Sequence, residues 1–324
     1  MIKRLAALLA LLNASVQAQP VTPARLLTAY PAFLARIDAQ TLFWKDGART
    51  PLSGGHAFTS PADRLNRPDL SELLRQPYPA CTPLHPPAYG EDPGRARPAA
   101  FFSRMYGNTP AAVKTNLVRV NWFGQSLMFS KVNGANLALE AVARDLSARP
   151  DLSRYLTPSA GTYVWRVVVG SSRQSAHSWG VAIDLNTRFS DYWQWEDYRE
   201  FVPGIPYRNR IPQAVVWAFE QHGFVWGGRW YHHDTMHFEY RPELSGCRNE
   251  GREPRLHLSK KISIILYKVL SWMEYIDKHP AAAKVLSQTF SRLFPALDFP
   301  HVPGRPAHPP AARGRPSGGP QRDA

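Results

Sequence analysis

The stretch SAHSWGVAIDLN, Ser175 to Asn186, sets a histidine seven residues ahead of an aspartate that sits inside an otherwise apolar run. A lone ionised carboxylate in a strand such as Val181 to Leu185 is costly unless a cation, a metal or hydrogen bonds compensate it. Side chains alternate along a strand, so Val181, Ile183 and Leu185 point one way and Ala182 and Asp184 the other. The small alanine leaves room beside the carboxylate, and Gly180 permits a sharp bend that brings His177 round to the same pocket. The stretch therefore reads as one strand of a sheet with half of a polar or metal site attached.

A second cluster, WYHHDTMHFEYRPEL, runs from Trp230 to Leu244. If His237 opens a strand, His237 and Glu239 share one face while Phe238 and Tyr240 share the core face, and Asp234 sits on the turn entering it. Two histidines and a carboxylate, His177, His237 and Asp184, make a three-ligand zinc set whose fourth position stays open for water. Asp234 is then available as a base. His232 and His233 are adjacent in an extended segment and face opposite ways, so neither is assigned to the site. Glu239 reads either as a partner of the His237 ring or as a solvated strand-end carboxylate. Trp179, Trp193, Trp195, Trp226 and Trp230 surround both motifs, mostly as packing, with one or two lining a groove.

Around these motifs the pattern mixes strands and helices without regular alternation, which makes the class α+β. The expected architecture is a small mixed, mainly antiparallel sheet with flanking helices, holding a single zinc site. Leu26 to Ile37 reads as a short helix, and a small helix carries Phe101, Phe102 and Met105. Leu117 to Lys131 reads as strands, with Asn133-Gly134 as the turn signal. Leu137 to Ser147 is amphipathic, with Leu137, Ala141, Val142 and Leu146 at helical spacing. Tyr163 to Val169 and Phe224 to Trp226 read as further strands. Between them lies a helix with Pro212 at its first turn, Val215, Val216 and Phe219 on one stripe, and Gly223 as its stop.

The organisation follows composition. Residues 1–18 read as a cleavable leader, with Lys3 and Arg4 before the apolar run Leu5 to Leu12 and Val16-Gln17-Ala18 as a cleavage site. The run is too short to span a bilayer, which takes about 20 residues, so a periplasmic or secreted chain is expected. Residues 19–91 form a loop-rich lead-in, 92–248 the main domain, 249–298 a basic helical extension and 299–324 a Pro-rich tail. Cys81 and Cys247 are the only cysteines; they are open to a single disulfide or to two free thiols. Of the net charge of +14, half lies from Arg248 onward, where 13 Lys or Arg face 6 Asp or Glu. Such a charge suits anionic lipid or the acidic polymers of a cell envelope. Nucleic acid is not expected, since no aromatic-basic stacking motif accompanies the charge. The helix pattern at 259–276 reads as a docking helix or as peripheral membrane contact, and no segment is long enough to cross a membrane.

Ser175, His177, Gly180, Ala182 and Asp184, followed by WGGRWYHHDTMHFEY with Asp234 and His237, resemble the zinc peptidases that include D-alanyl-D-alanine carboxypeptidases and L-alanyl-D-glutamate endolysins. The resemblance extends over about Asp92 to Leu244. It implies His177, Asp184 and His237 as ligands of one zinc ion, Asp234 as general base, and an arginine upstream of the first ligand, Arg166 or Arg173, to hold the substrate carboxylate or the oxyanion. The carboxypeptidase branch has ExxH at the last motif; Asp234-Thr235-Met236-His237 instead resembles the endolysin-type branch. The implied function is hydrolysis of amide bonds in peptidoglycan stem peptides, L-Ala-D-Glu or D-Ala-D-Ala, by a metal-activated water. The rival expectation is a non-catalytic module that binds cell wall or a partner on the same zinc-site fold.

Overall fold

The computed structural model describes residues 22–196 and 198–247. The expected leader, the basic extension with its 259–276 helix and the Pro-rich tail lie outside these residues.

The lead-in is more regular than its composition predicts. Helix α1 (Ala24–Ala29) buries Leu26 and stops at Tyr30. The expected helix through Ile37 does not form, because Pro31 disfavours helical backbone at the residue before it. The chain instead turns into an antiparallel meander of β1 (Leu34–Ile37), β2 (Thr41–Trp44) and β3 (Arg49–Pro51). Two short helices follow, each started by a side-chain cap. Ser60 accepts from the Asp63 amide at α2 (Pro61–Asn66), and Asp69 accepts from the Glu72 amide at α3 (Leu70–Leu74).

Helix α4 (Ala99–Tyr106) buries Phe101, Phe102, Met105 and Tyr106, and α5 (Pro110–Lys114) follows under a Thr109 cap. Strands β4 (Leu117–Trp122) and β5 (Gln125–Ser130) pair as a hairpin. Its turn is Phe123-Gly124, both at positive φ (48° and 89°), as a two-residue hairpin turn requires. Asn133-Gly134, the expected turn, is a second left-handed pair that instead leads into α6 (Ala135–Ser147). The buried stripe of α6 is Ala135, Leu139, Val142 and Leu146; Leu137 is 63% exposed, one position off that stripe. After α7 (Ser153–Leu156) comes the expected strand Tyr163 to Val169, which does not form. The Val164 amide bonds the His177 carbonyl and the Arg166 amide bonds Ser178 Oγ, so its backbone pairing is reduced to an isolated bridge between Val167 and Gln174.

The last sheet carries the two motifs. Strands β6 (Ala182–Asp184), β7 (Phe224–Trp226) and β8 (His237–Tyr240) lie in the order β6-β8-β7, antiparallel throughout. Helix α8 (Gln213–Gln221) crosses this sheet, with the Phe219 ring stacked on Phe238 at 4.0 Å. The class is α+β as expected, but the sheet is divided into three small antiparallel ones. One hydrophobic cluster runs through all of them, from Leu26 in the lead-in to Leu244. Cys81 and Cys247 form a disulfide. No helix among the described residues is long and apolar enough to cross a membrane.

Candidate metal centre

Register sets the centre. In the β6-β8 ladder Asp184 stands directly opposite His237, with Ile183 opposite Phe238. Opposed residues share a face, so the carboxylate and the imidazole meet. His177 arrives from a single 3-10 turn, Ala176–Trp179, that Gly180 ends at φ +66°. A Cβ at Gly180 would meet the Leu117 Cδ2 methyl, which would have to turn aside, but it is the left-handed bend itself that demands glycine. His177 Nε2 lies 3.2 Å from Asp184 Oδ2 and 3.2 Å from His237 Nδ1, and His237 Nδ1 lies 3.0 Å from Asp184 Oδ1.

This triangle fits a small cation. Ligand atoms bound tetrahedrally at 2.0–2.1 Å stand roughly 3.3 Å apart. His177 Nδ1 lies 2.5 Å from the Thr162 carbonyl, which can accept only from an N–H; that tautomer turns the lone pair of Nε2 into the centre. The electrostatics ask for positive charge as well. Burial alone would raise the Asp184 carboxyl, yet the charges and hydrogen bonds of His177 and His237 hold it far below the usual carboxylate range. Burial would lower His237, yet its hydrogen bond to Asp184 and the nearby Glu239 carboxylate push it up to about 10.

Asp234 lies on the turn before β8, its carbonyl accepting from the His237 amide at 3.2 Å and its amide donating to the Gly227 carbonyl. A Cβ at Gly227 would come within 2.5 Å of the Asp234 carbonyl oxygen, so the turn closes only over a glycine. Asp234 Oδ1 is buried with no hydrogen-bond partner among the described residues. Burial pushes this carboxyl up to about 6, with the Asp184 charge adding and His237, His177 and Arg166 opposing. Its carboxyl thus lies within electrostatic reach of all three members of the triangle.

Glu239 is fully buried rather than solvated. Its Oε2 accepts from Arg97 Nε at 2.7 Å and stands 3.8 Å from His237 Nε2, while Oε1 accepts from Arg241 Nη1 at 3.2 Å. Arg241 also bonds Glu243, which accepts from the Tyr30 hydroxyl in the lead-in. Sequence reading missed Arg97. The signal was present: a carboxylate sharing the inward face with a ligand histidine needs a cation somewhere.

The two candidate arginines part company. Arg173 is engaged by Glu200 at 3.0 Å and by Asn66 at 3.1 Å. Arg166 is exposed, its backbone clamped by Ser178, and its charge acts on both Asp234 and Tyr192. His232 bonds Asp92 at 2.7 Å and His233 packs against Tyr207, so both stand apart from the triangle. Of the tryptophans, Trp179 and Trp226 are core, Trp230 packs its ring 5.8 Å from His237, and Trp195 is 55% exposed.

The profile of one protein family, described as D-alanyl-D-alanine carboxypeptidase, matches residues 169–240. No curated protein and no solved structure matches the chain. The matched segment contains His177, Asp184 and His237, which converge in space, and Asp234 as well. Over this segment, and not over the rest of the chain, the sequence is similar to the D-alanyl-D-alanine carboxypeptidase family.

Proposed function

We propose that this protein is a zinc-dependent peptidase that hydrolyses amide bonds of peptidoglycan stem peptides, exported by its leader to the periplasm or beyond. The observation that carries the reading is the pairing of a convergent His177, Asp184 and His237 trio with a buried, unpartnered carboxylate oxygen on Asp234. Zinc held by that trio supplies Lewis acidity, which lowers the pKa of water to about 7 and polarises a carbonyl. Asp234 accepts the proton of the attacking water and returns it to the leaving amine. Thr162 fixes the His177 tautomer through its carbonyl, and Glu239, held by Arg97 and Arg241, backs His237. Arg166, exposed beside Asp234, pairs with a substrate carboxylate; Arg173 fixes the Glu200 side of the site.

A pure binding module gains nothing from Asp234, whose burial without a partner only destabilises the fold. Zinc content and digestion of purified peptidoglycan, read by mass spectrometry, test the reading. The mature protein is expected to hold about one zinc and to release stem-peptide fragments whose masses name the bond. Asp234→Asn keeps the zinc and releases none. If both proteins bind zinc and neither cuts, the binding module is the right reading; if neither holds metal, the ligand assignment falls.

A further inference from the structure

Beside Asp234 lies a second feature, built from aromatic rings. Residues Asp191 to Trp193 run antiparallel to His233 to Thr235: Tyr192 pairs with Asp234 in an isolated bridge, the Trp193 amide bonds the His233 carbonyl at 3.0 Å, and the Thr235 amide bonds the Asp191 carbonyl at 2.9 Å. Directly opposed residues share a face with Cβ atoms roughly 5 Å apart, so the Tyr192 ring stands next to the Asp234 carboxylate. Past Tyr192 the chain turns in a 3-10 segment, Trp193–Glu196, that sets Trp195 edge-on to Tyr192, ring centroids 6.2 Å apart. Tyr192, Trp195, Tyr198 and Pro206 line a shallow pocket rimmed by Asp191 and Arg208. Its enclosed volume is about 30 Å³, which suits a platform for one face of a ring rather than a pocket that engulfs a ligand.

The platform is built independently of the main core. A separate buried cluster of Trp193, Ile205 and Tyr231 underlies it, and the Tyr231 hydroxyl accepts from the Gly204 and Ile205 amides at 2.7 and 2.9 Å. Trp195 contributes little to that packing, since 55% of its surface stays in water. A large exposed indole over a rigid base, with hydrogen-bonding groups at its rim, is the arrangement a ligand with one flat apolar face and a polar edge calls for. A pyranose ring has that form.

We propose that this platform binds an N-acetylated amino-sugar unit of the glycan strand, so that the protein takes stem peptides still attached to glycan. The inference rests on the peptidase reading for its biological substrate, but the binding itself does not require catalysis. Titration of the full mature chain with chitotetraose, followed by tryptophan fluorescence and calorimetry, reads the platform directly. Saturable binding is expected in the wild-type protein, retained in Asp234→Asn and weakened at least tenfold in Trp195→Ala. In cleavage assays, the ratio of kcat/KM on glycan-linked to free stem peptide falls about tenfold in Trp195→Ala. The proposal is overturned if the wild type does not bind the tetrasaccharide, if Trp195→Ala binds it equally, or if that ratio is unchanged. Should Asp234→Asn still cut while the tetrasaccharide results hold, the assigned base fails and the platform stands.

Discussion

Asp234 pays in stability for its position at the edge of the triangle. Burial raises its carboxyl from an ordinary value near 3.8 to about 6, so in the metal-free protein the folded state binds its proton more tightly than the unfolded chain does. Stability from this residue is therefore highest below pH 4, declines through the interval up to about 6, and stays low above it. Asp234→Asn is expected to raise metal-free stability at pH 7 by up to about 3 kcal/mol, at 1.36 kcal/mol per pKa unit, with the gain vanishing as the pH falls toward 4. Thermal melts at pH 7 and pH 4.5 check it; a variant less stable than wild type at pH 7 would show that the carboxylate is satisfied after all. Glu239 has the opposite sign. Burial would raise it, but the Arg97 charge and the nearby His237 ring hold it well below the usual range, so its contribution is present above pH 4.5 and lost as the pH falls further. Glu239→Gln strips Arg97 of its charged partner, while Arg241 keeps Glu243, and is expected to cost about 3–5 kcal/mol. The same change is expected to weaken zinc binding about 10–100-fold in a chelator competition assay. The convergence of His177, Asp184 and His237 was legible in the sequence because each half of it is local: a histidine seven residues before a strand aspartate, and a histidine opening a strand. Arg97 was not, because nothing short of the fold brings position 97 to position 239.

Elements succeed or fail as sequence readings according to what their backbone amides bond. Helix α8 and strands β6 and β8 were legible because apolar spacing, a proline start and a glycine stop coincide with the ladder that forms. Tyr163 to Val169 has the β-branched composition of a strand, but the Val164 and Arg166 amides are taken by His177 and Ser178, only an isolated bridge to Gln174 remains, and Val164, Val167 and Val169 stand 51, 49 and 71% exposed. Composition cannot register that competition. The bend at Gly180 is the element on which the centre most depends. It carries His177 from the 3-10 turn to a position opposite neither strand, and its carbonyl accepts from the Ser130 amide at 2.8 Å, tying the turn to β5. Gly180→Ala forces an L side chain to φ +66° and into Leu117. A loss of about 1–3 kcal/mol is expected from strain. Because the displacement acts on a ligand, zinc affinity is expected to fall with it, whereas Gly124→Ala, also at positive φ but with open space around it, is expected to lower stability alone. Parallel measurement of melting temperature and zinc affinity in both variants separates strain from misplacement.

At the scale of the molecule, the segment matched by the family profile is held by residues that lie outside it. Arg97 reaches Glu239, and Tyr78 bonds Glu220 at 2.8 Å while its hydroxyl accepts from the Trp226 amide at 2.7 Å; Tyr30 reaches Glu243, just past the end of the segment. Leu26, Leu42, Trp44 and Leu73 of the lead-in are buried in the same cluster as the strands of the centre. Proline density made this region look loop-rich, yet Pro61 starts α2 and apolar residues on either side of it are free to pack. A chain shortened to begin at Asp92 is therefore expected not to fold, with far-ultraviolet dichroism and amide exchange reporting the loss. The disulfide makes the same dependence reversible. Cys81 and Cys247 lie 166 residues apart, and closing a loop of that length lowers the entropy of the unfolded chain by an amount worth about 5 kcal/mol on the chain-entropy estimate, against the usual 2–4 kcal/mol measured. The bond also sits beside the Glu220 carboxylate, which accepts from the Cys81 amide at 2.6 Å and from Arg229, so the tether pins the buried Tyr78-Glu220-Arg229 network under β7. The Cys81→Ser, Cys247→Ser double variant is expected to lose about 2–5 kcal/mol in denaturant melts, and reduction of the wild type is expected to lose the same amount. Zinc at saturating concentration should recover part of the loss in both, since a ligand that binds only the folded state stabilises it by mass action. Equal melts for the oxidised and reduced protein would mean that the lead-in is held by packing alone.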